Sequence, residues 1–221
     1  MIGGIQWKTC GLTSLVDAEA ADSAGADYLA FNFYPKSPRY VTHAQYQAMD
    51  NLLPERKRVA VSVEPELSEV QWFIEQGFDR IQIHFRVDLP IERVAAWSEL
   101  VTVDKLWLAP KLPPGTPFPA ALLPYARTFL LDTFATDKFG GTGKTGDWEN
   151  FRALKAAQPD KTWILSGGLS PENIGDALRA TGARFLDVNS GVESAPGVKD
   201  TAKLKAFAAA VKSALGTTRP T

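Results

Sequence analysis

The sequence predicts an α/β protein built as a (β/α)8 TIM barrel, one domain over residues 1–221 with a short frayed tail from about residue 216. Three observations carry this expectation. Apolar runs of strand length recur eight times along the chain, each followed by a segment of helical period. The runs are nearly continuous in apolar residues, as parallel strands buried on both faces require. Shared among eight units, 221 residues leave about 28 for each, enough for a strand, a crossover helix and two short loops. An open doubly wound sheet is the competing architecture.

The expected strands are Ile5 to Cys10, Tyr28 to Phe33, Arg58 to Val63, Arg80 to His84, Lys105 to Leu108, Thr128 to Asp132, Thr162 to Ser166 and Phe185 to Asn189. Helix starts fit between them. Ser14 with Asp17 and Thr42 with Gln45 have capping-box spacing, and Ser170-Pro171 sets a cap residue before a first-turn proline. The last helix is amphipathic, with Leu204, Phe207, Val211, Ala214 and Leu215 on one face. Between Pro110 and Pro124, six prolines leave room only for a short or irregular fifth helix.

Composition excludes several classes. The chain is 45% hydrophobic and has a single cysteine, so neither a disordered chain nor a disulfide scaffold fits. A net charge of -1 offers no field to attract nucleic acid. No apolar run reaches the roughly 18 residues of a membrane span, and the N-terminus lacks a basic region followed by an apolar stretch. The expected location is the cytoplasm, where a lone thiol stays reduced.

A barrel places its chemistry at the C-terminal ends of the strands. Those positions hold Cys10-Gly11, Pro35 to Arg39, Glu64, His84, Asp132 followed by Gly140 to Lys144, Ser166-Gly167-Gly168, and Asn189-Ser190-Gly191. Two adjacent glycine loops after strands seven and eight suit a phosphate, since glycine lets backbone N–H groups approach the oxygens and Ser190 adds a hydroxyl. Cys10 is either a buried structural thiol or a group at the barrel mouth, and as a base it needs surroundings that favour the thiolate. Asp132 either caps its loop or, desolvated beneath a long glycine loop, serves as a general acid. His84 either lines the site or closes its strand, and His43 is expected to be a solvated surface residue. There is no His/Cys/carboxylate cluster with metal-ligand spacing and no Gly-x-Ser-x-Gly elbow, so no metal and no serine nucleophile are expected.

These motifs resemble those of the phosphoribosylanthranilate isomerase family. The segments that carry the resemblance are Lys8 to Thr13, Phe31 to Tyr40, Leu131 to Thr133, Gly140 to Thr145, Leu165 to Leu169 with Pro171 to Asn173, and Asp187 to Glu193. They follow one another in order along the chain. The resemblance implies a cofactor-free Amadori rearrangement of N-(5-phosphoribosyl)anthranilate, an aldose-ketose isomerisation in tryptophan biosynthesis, with Cys10 as general base and Asp132 as general acid. It implies substrate binding by Arg39, at the anthranilate end, and by His84, Gly141, Gly143, Gly167, Gly168, Asp187, Ser190 and Gly191. The implied partner is a small phosphosugar, not nucleic acid or a membrane, and a monomer is expected over a dimer.

The chain departs from the family pattern in its middle. Gln82-Ile83-His84 is followed by Phe85-Arg86-Val87-Asp88 instead of a glycine, strand three ends Val61-Ser62-Val63-Glu64, and Asn189 stands where serine is common. These changes bear on the anthranilate end of the pocket and leave the acid and base in place. Two other functions remain compatible with the motifs: another phosphosugar aminoaldose-ketose isomerase on the same barrel, against which Cys10 argues, and an idle phosphate-binding barrel.

Overall fold

A computed structural model describes residues 1–113, 116–131 and 147–216. Asp132, Gly141 and Gly143 lie outside these residues, as does most of the tail.

The eight strands are β1 (Gln6–Thr9), β2 (Tyr28–Asn32), β3 (Lys57–Val63), β4 (Arg80–Arg86), β5 (Leu106–Lys111), β6 (Thr128–Leu131), β7 (Thr162–Leu165) and β8 (Phe185–Val188). Each pairs with the next in parallel, and β8 closes on β1 in the register Gln6↔Phe185 to Thr9↔Val188. The closed barrel excludes the open sheet. Helices α1 (Leu15–Ser23), α2 (His43–Asp50), α3 (Leu67–Glu75), α4 (Ile91–Val101), α5 (Trp148–Ala157), α6 (Ile174–Thr181) and α7 (Thr201–Gly216) cover it. After β5 the proline-rich stretch forms only a 3-10 helix, Ala120–Tyr125, with Pro124 inside it.

Local signals place these elements well. Thr42 and Gln45 form a complete capping box on α2, and the Ser14 hydroxyl oxygen accepts from the Asp17 N–H at the start of α1. Leu204, Phe207 and Val211 are the buried face of α7, where Phe207 meets Trp7 of β1 at 5.4 Å between ring centroids. Other boundaries moved. The residue that caps α6 is Asn173, and Ser170-Pro171 opens the turn before it. His43 is exposed as expected, but its ring stacks on Trp72 at 3.7 Å. β5 runs through Pro110, which the sequence assigns to a loop. Among the described residues β6 pairs with β5 at Trp107 and Leu108 and not at Pro110, a position that therefore tolerates a residue with no N–H. A small hairpin, β9 (Glu193–Ala195) with β10 (Val198–Lys199), was not foreseen.

The strands divide their side chains between two cores. One face packs on the helices. The other fills the barrel with Cys10, Tyr28, Ala30, Val59, Val61, Trp107, Ala109, Leu130, Ile164 and Phe185. Tyr28, Trp107 and Phe185, all near strand N-termini, pack with ring centroids 5.2 Å apart in each pair and form the floor of the interior. The polar side chains Lys8, Gln82, His84 and Asp187 occupy the inward positions above that floor.

Candidate active site

Cys10 follows directly on β1, whose ladder continues through the bond from its N–H to the Val188 carbonyl at 2.9 Å. The strand alternation turns Trp7 toward α7 and the Cys10 thiol into the barrel. There it lines a pocket with Asn32, His84, Ser166, Gly167, Gly168, Asp187 and Ser190 among others. Seven of the expected site residues therefore meet in one place: Cys10, His84, Gly167, Gly168, Asp187 and Ser190 line the pocket, and Gly191 packs just behind it.

The two phosphate-loop candidates are built differently. Gly167 and Gly168 have φ of +92° and +67°, which turns the chain sharply after β7. Asn173 holds that turn from the following segment: its side-chain N–H donates to the Gly168 carbonyl at 2.7 Å, and its oxygen accepts from the Ser170 N–H at 2.9 Å. Ser190 to Val192 form a single 3-10 turn after β8. A Cβ on Gly191 would lie 2.0 Å from the Leu169 carbonyl oxygen, so glycine here is required by the close approach of the two loops.

Arg39 comes from the loop after β2. Its guanidinium forms a bidentate ion pair with Glu193, Nε to Oε1 at 2.8 Å and Nη2 to Oε2 at 2.6 Å. Glu193 also accepts from Lys199 Nζ at 2.8 Å, and Lys199 reaches on to Asn189 Oδ1 at 3.0 Å. Burial opposes the charge on Glu193, but Arg39 and Lys199 outweigh it and hold the carboxyl below its ordinary range. Arg39 can lie against β1 because of Gly11, at φ +71°, where a Cβ would meet Arg39 Cδ at 2.5 Å and Asn189 Oδ1 at 2.8 Å. The hairpin of β9 and β10 thus fixes the arginine beside the thiol.

Inside the barrel Lys8 and Asp187, register partners on β1 and β8, form a buried ion pair at 3.0 Å. Asp187 also bonds Ser166. His84 lies within 2.8 Å, Nε2 to Nε2, of the Gln82 side chain. Burial, with the nearby Lys8 charge, pushes the His84 imidazole down to about 3, so it is neutral at physiological pH. With Gln82 donating, Nε2 accepts and the ring proton sits on Nδ1. Cys10 does not meet the simplest requirement of a base: burial pushes its thiol up, and the opposing pull of Lys8 and Lys199 does not fully cancel that. Among these neighbours the thiol is therefore held protonated at neutral pH.

The sequence reading missed Glu193, Lys199 and Asn173 as positioning groups, and Lys8 as a buried ion. A lysine two residues before Cys10, and so on the same face of the first strand, was the available signal for Lys8. Glu193 closes one of the segments that carry the resemblance, but its meeting with Lys199 depends on a hairpin not legible in the sequence. The β3–β4 corner where the chain departs from the family pattern is also remade. Glu64 adopts a left-handed conformation at φ +46°, and its carboxylate accepts from the Arg86 N–H at 2.9 Å. β4 is thereby extended two residues past His84.

A family model described as N-(5'phosphoribosyl)anthranilate (PRA) isomerase matches residues 7–210. The chain belongs to this family. Among its relatives, the N-(5'-phosphoribosyl)anthranilate isomerase of Magnetococcus marinus is 38% identical over 216 residues, covering 95% of this chain and 96% of that one. The enzyme of the same name from Aquifex aeolicus is 34% identical over 213 residues, covering 95% and 99%. The solved phosphoribosyl anthranilate isomerase of Thermus thermophilus superposes with a TM-score of 0.78 at 30% identity, covering 95% of this chain and 99% of that one. A further family structure, 29% identical with a TM-score of 0.74 and covering 95% and 99%, holds reduced 1-(o-carboxyphenylamino)-1-deoxyribulose 5-phosphate.

Proposed function

We infer that this chain isomerises N-(5-phosphoribosyl)anthranilate to 1-(2-carboxyphenylamino)-1-deoxyribulose 5-phosphate, a step of tryptophan biosynthesis. The observation that carries the reading is the shared pocket: the thiol after the first strand and the glycine turns after the seventh and eighth face one space, in a chain whose family match spans residues 7–210.

The phosphate sits at Gly167, Gly168 and Ser190, where backbone N–H groups and a hydroxyl offer donors. Arg39 takes the anthranilate carboxylate or ring face, which suits a planar guanidinium. Asp132, followed in the sequence by Gly141 and Gly143, is the acid. It protonates the ribose ring oxygen as the anilino nitrogen lone pair forms the C1=N bond and the C1–O bond breaks. The Cys10 thiolate then removes the C2 proton, and that electron pair becomes the C1=C2 bond of an enolamine while the iminium nitrogen regains its lone pair. A proton added at C1 and one lost from the C2 hydroxyl give the ketone. The sequence balances with no net redox change, since C2 is oxidised as C1 is reduced within one molecule, and it needs one acid and one base. A neutral His84, with Nε2 engaged by Gln82, can offer only its Nδ1–H and does not compete for the C2 proton.

The working unit is read as a monomer. Among the described residues no helix is long and apolar enough to cross a membrane. The sequence reading places the reaction in the cytoplasm. The deciding experiment is turnover of synthesised phosphoribosylanthranilate, followed by loss of its fluorescence. Turnover at a rate typical of enzymes is expected. Binding without turnover would leave only the idle barrel, and turnover of a histidine-pathway aminoaldose instead would favour the neighbouring isomerase class.

A further inference from the structure

We propose that Lys8 is a positioning residue for the reaction: its buried ammonium, anchored by Asp187, is the counter-ion that makes the Cys10 thiolate reachable. The inference rests on the reading of Cys10 as the base, and it concerns how that base is made usable.

Packing does not account for Lys8. Its side chain is 0% exposed inside a barrel where Ala30, Val59, Leu130 and Ile164 also point inward, and burying an ammonium carries a desolvation cost that an apolar residue would avoid. Its placement points instead to the thiol. Lys8 and Cys10 are two residues apart on one strand, so both project inward, and Asp187 is the register partner of Lys8 across the β1–β8 seam. The ion pair at 3.0 Å is poorly directed for hydrogen bonding: Lys8 Nζ and Asp187 Oδ1 both lack a hydrogen-bond partner although fully buried. An ammonium held by charge, with its N–H groups not committed to a carboxylate, is available to a second anion. Cys10 is the neighbour that becomes one.

The charged and titratable groups around the thiol, among the described residues, are Lys8 on β1, Asp187 on β8, Lys199 on β10, Arg39 after β2 and His84 on β4. Lys8 and Lys199 favour the thiolate and Asp187 opposes it. His84 is kept neutral partly by Lys8 itself, so the imidazole adds no competing charge. Lys8 carries the larger favourable influence on the thiol of the two lysines. When Cys10 loses its proton to solvent, the new negative charge faces the ammonium. When it takes the C2 proton of substrate, that charge disappears and the Lys8–Asp187 pair is restored to balance.

The chain has one cysteine, so the rate of iodoacetamide alkylation against pH reads the ionisation of Cys10 alone. For Lys8→Met the alkylation midpoint is expected to rise by about one pH unit or more, and turnover lost at neutral pH should return as pH is raised. Lys8→Arg, which keeps the charge, should titrate close to the parent. Asp187→Asn removes the opposing charge and should move the midpoint down. An unchanged midpoint in Lys8→Met, or equal upward displacement in Lys8→Met, Lys8→Arg and Asp187→Asn, would overturn the proposal by showing a structural role only. Should Lys8→Met not fold, Lys8→Gln replaces it and the same outcomes decide. Alkylation needs no substrate, so this test can fail while Cys10 still acts as base. Full turnover in Cys10→Ser would instead remove the base assignment and leave the measured thiol–lysine coupling standing.

Discussion

Arg39 and Glu193, 154 residues apart in the chain, are joined side by side in a two-bond fork beneath the mouth of the barrel. The fork fixes the plane of the guanidinium, which a single bond would not, and leaves the remaining faces of the group to the site. Glu193 is shared with Lys199, so one buried carboxylate holds two cations.

Arg39→Ala is expected to weaken binding of the anthranilate-bearing product analogue by about 2 to 5 kcal/mol while changing inorganic phosphate binding little. Glu193→Gln should produce a smaller version of the same selective loss, with a fall in stability of about 3 to 5 kcal/mol because buried Lys199 and half-buried Arg39 lose their counter-charge. Titration calorimetry with both ligands and urea unfolding check this. Equal losses for both ligands would assign Arg39 to the phosphate.

Cys10→Ser should lower turnover by about 10²-fold or more with an unchanged cooperative melt and unchanged phosphate affinity. A serine nearly fills the volume of the thiol, but an alkoxide is out of reach near neutral pH. Because burial pushes the thiol up, the parent rate should still be climbing with pH above neutrality, not level from pH 7. Iodoacetamide should inactivate the parent, and substrate should protect it. Normal turnover in Cys10→Ser would end the mechanism.

Asp132→Asn should abolish most turnover, by about 10² to 10⁴-fold, with ligand affinity nearly unchanged, since the amide keeps the shape of the acid and cannot supply its proton. Single-turnover rates alongside product-analogue binding separate the two effects. Retention of more than half the parent rate would exclude Asp132 as the acid.

His84 should make the fold acid-sensitive. Its imidazole takes up a proton only near pH 3 when folded but near 6.5 when unfolded, so between these values the unfolded chain binds more protons. Stability therefore rises with pH across that window and falls on acidification, by up to about 1.4 kcal/mol per pH unit. Urea midpoints measured from pH 7 to 4 should show a shallower decline in His84→Asn than in the parent. Parallel declines would show that His84 is not the group responsible.

How much of this was legible beforehand depended on the range of the interaction involved. The strand alternation that turns Cys10 inward, the capping box at Thr42 and Gln45, and the buried stripe of α7 depend on residues close in sequence, and all are readable from spacing. The proline run after β5 announced a missing helix for the same reason, since the obstruction is in the backbone itself. The end of β5 at Lys111 was not readable, because a proline inside a strand is tolerated only where it owes no N–H to a neighbour, and among the described residues β6 pairs with β5 before Pro110.

The sequence by itself determined the eightfold alternation and the clustering of Cys10, His84, Gly167, Gly168 and Ser190 at one end, because parallel strands with crossover helices bring all strand C-termini to the same face. Only the tertiary structure decided how those groups are charged and aimed. Barrel closure puts Lys8 against Asp187 across the β1–β8 seam, and the β9–β10 hairpin brings Glu193 and Lys199 under Arg39. Ionisation in an interior depends on which charges lie within a few ångströms and how much water is excluded, and neither quantity is a property of local sequence.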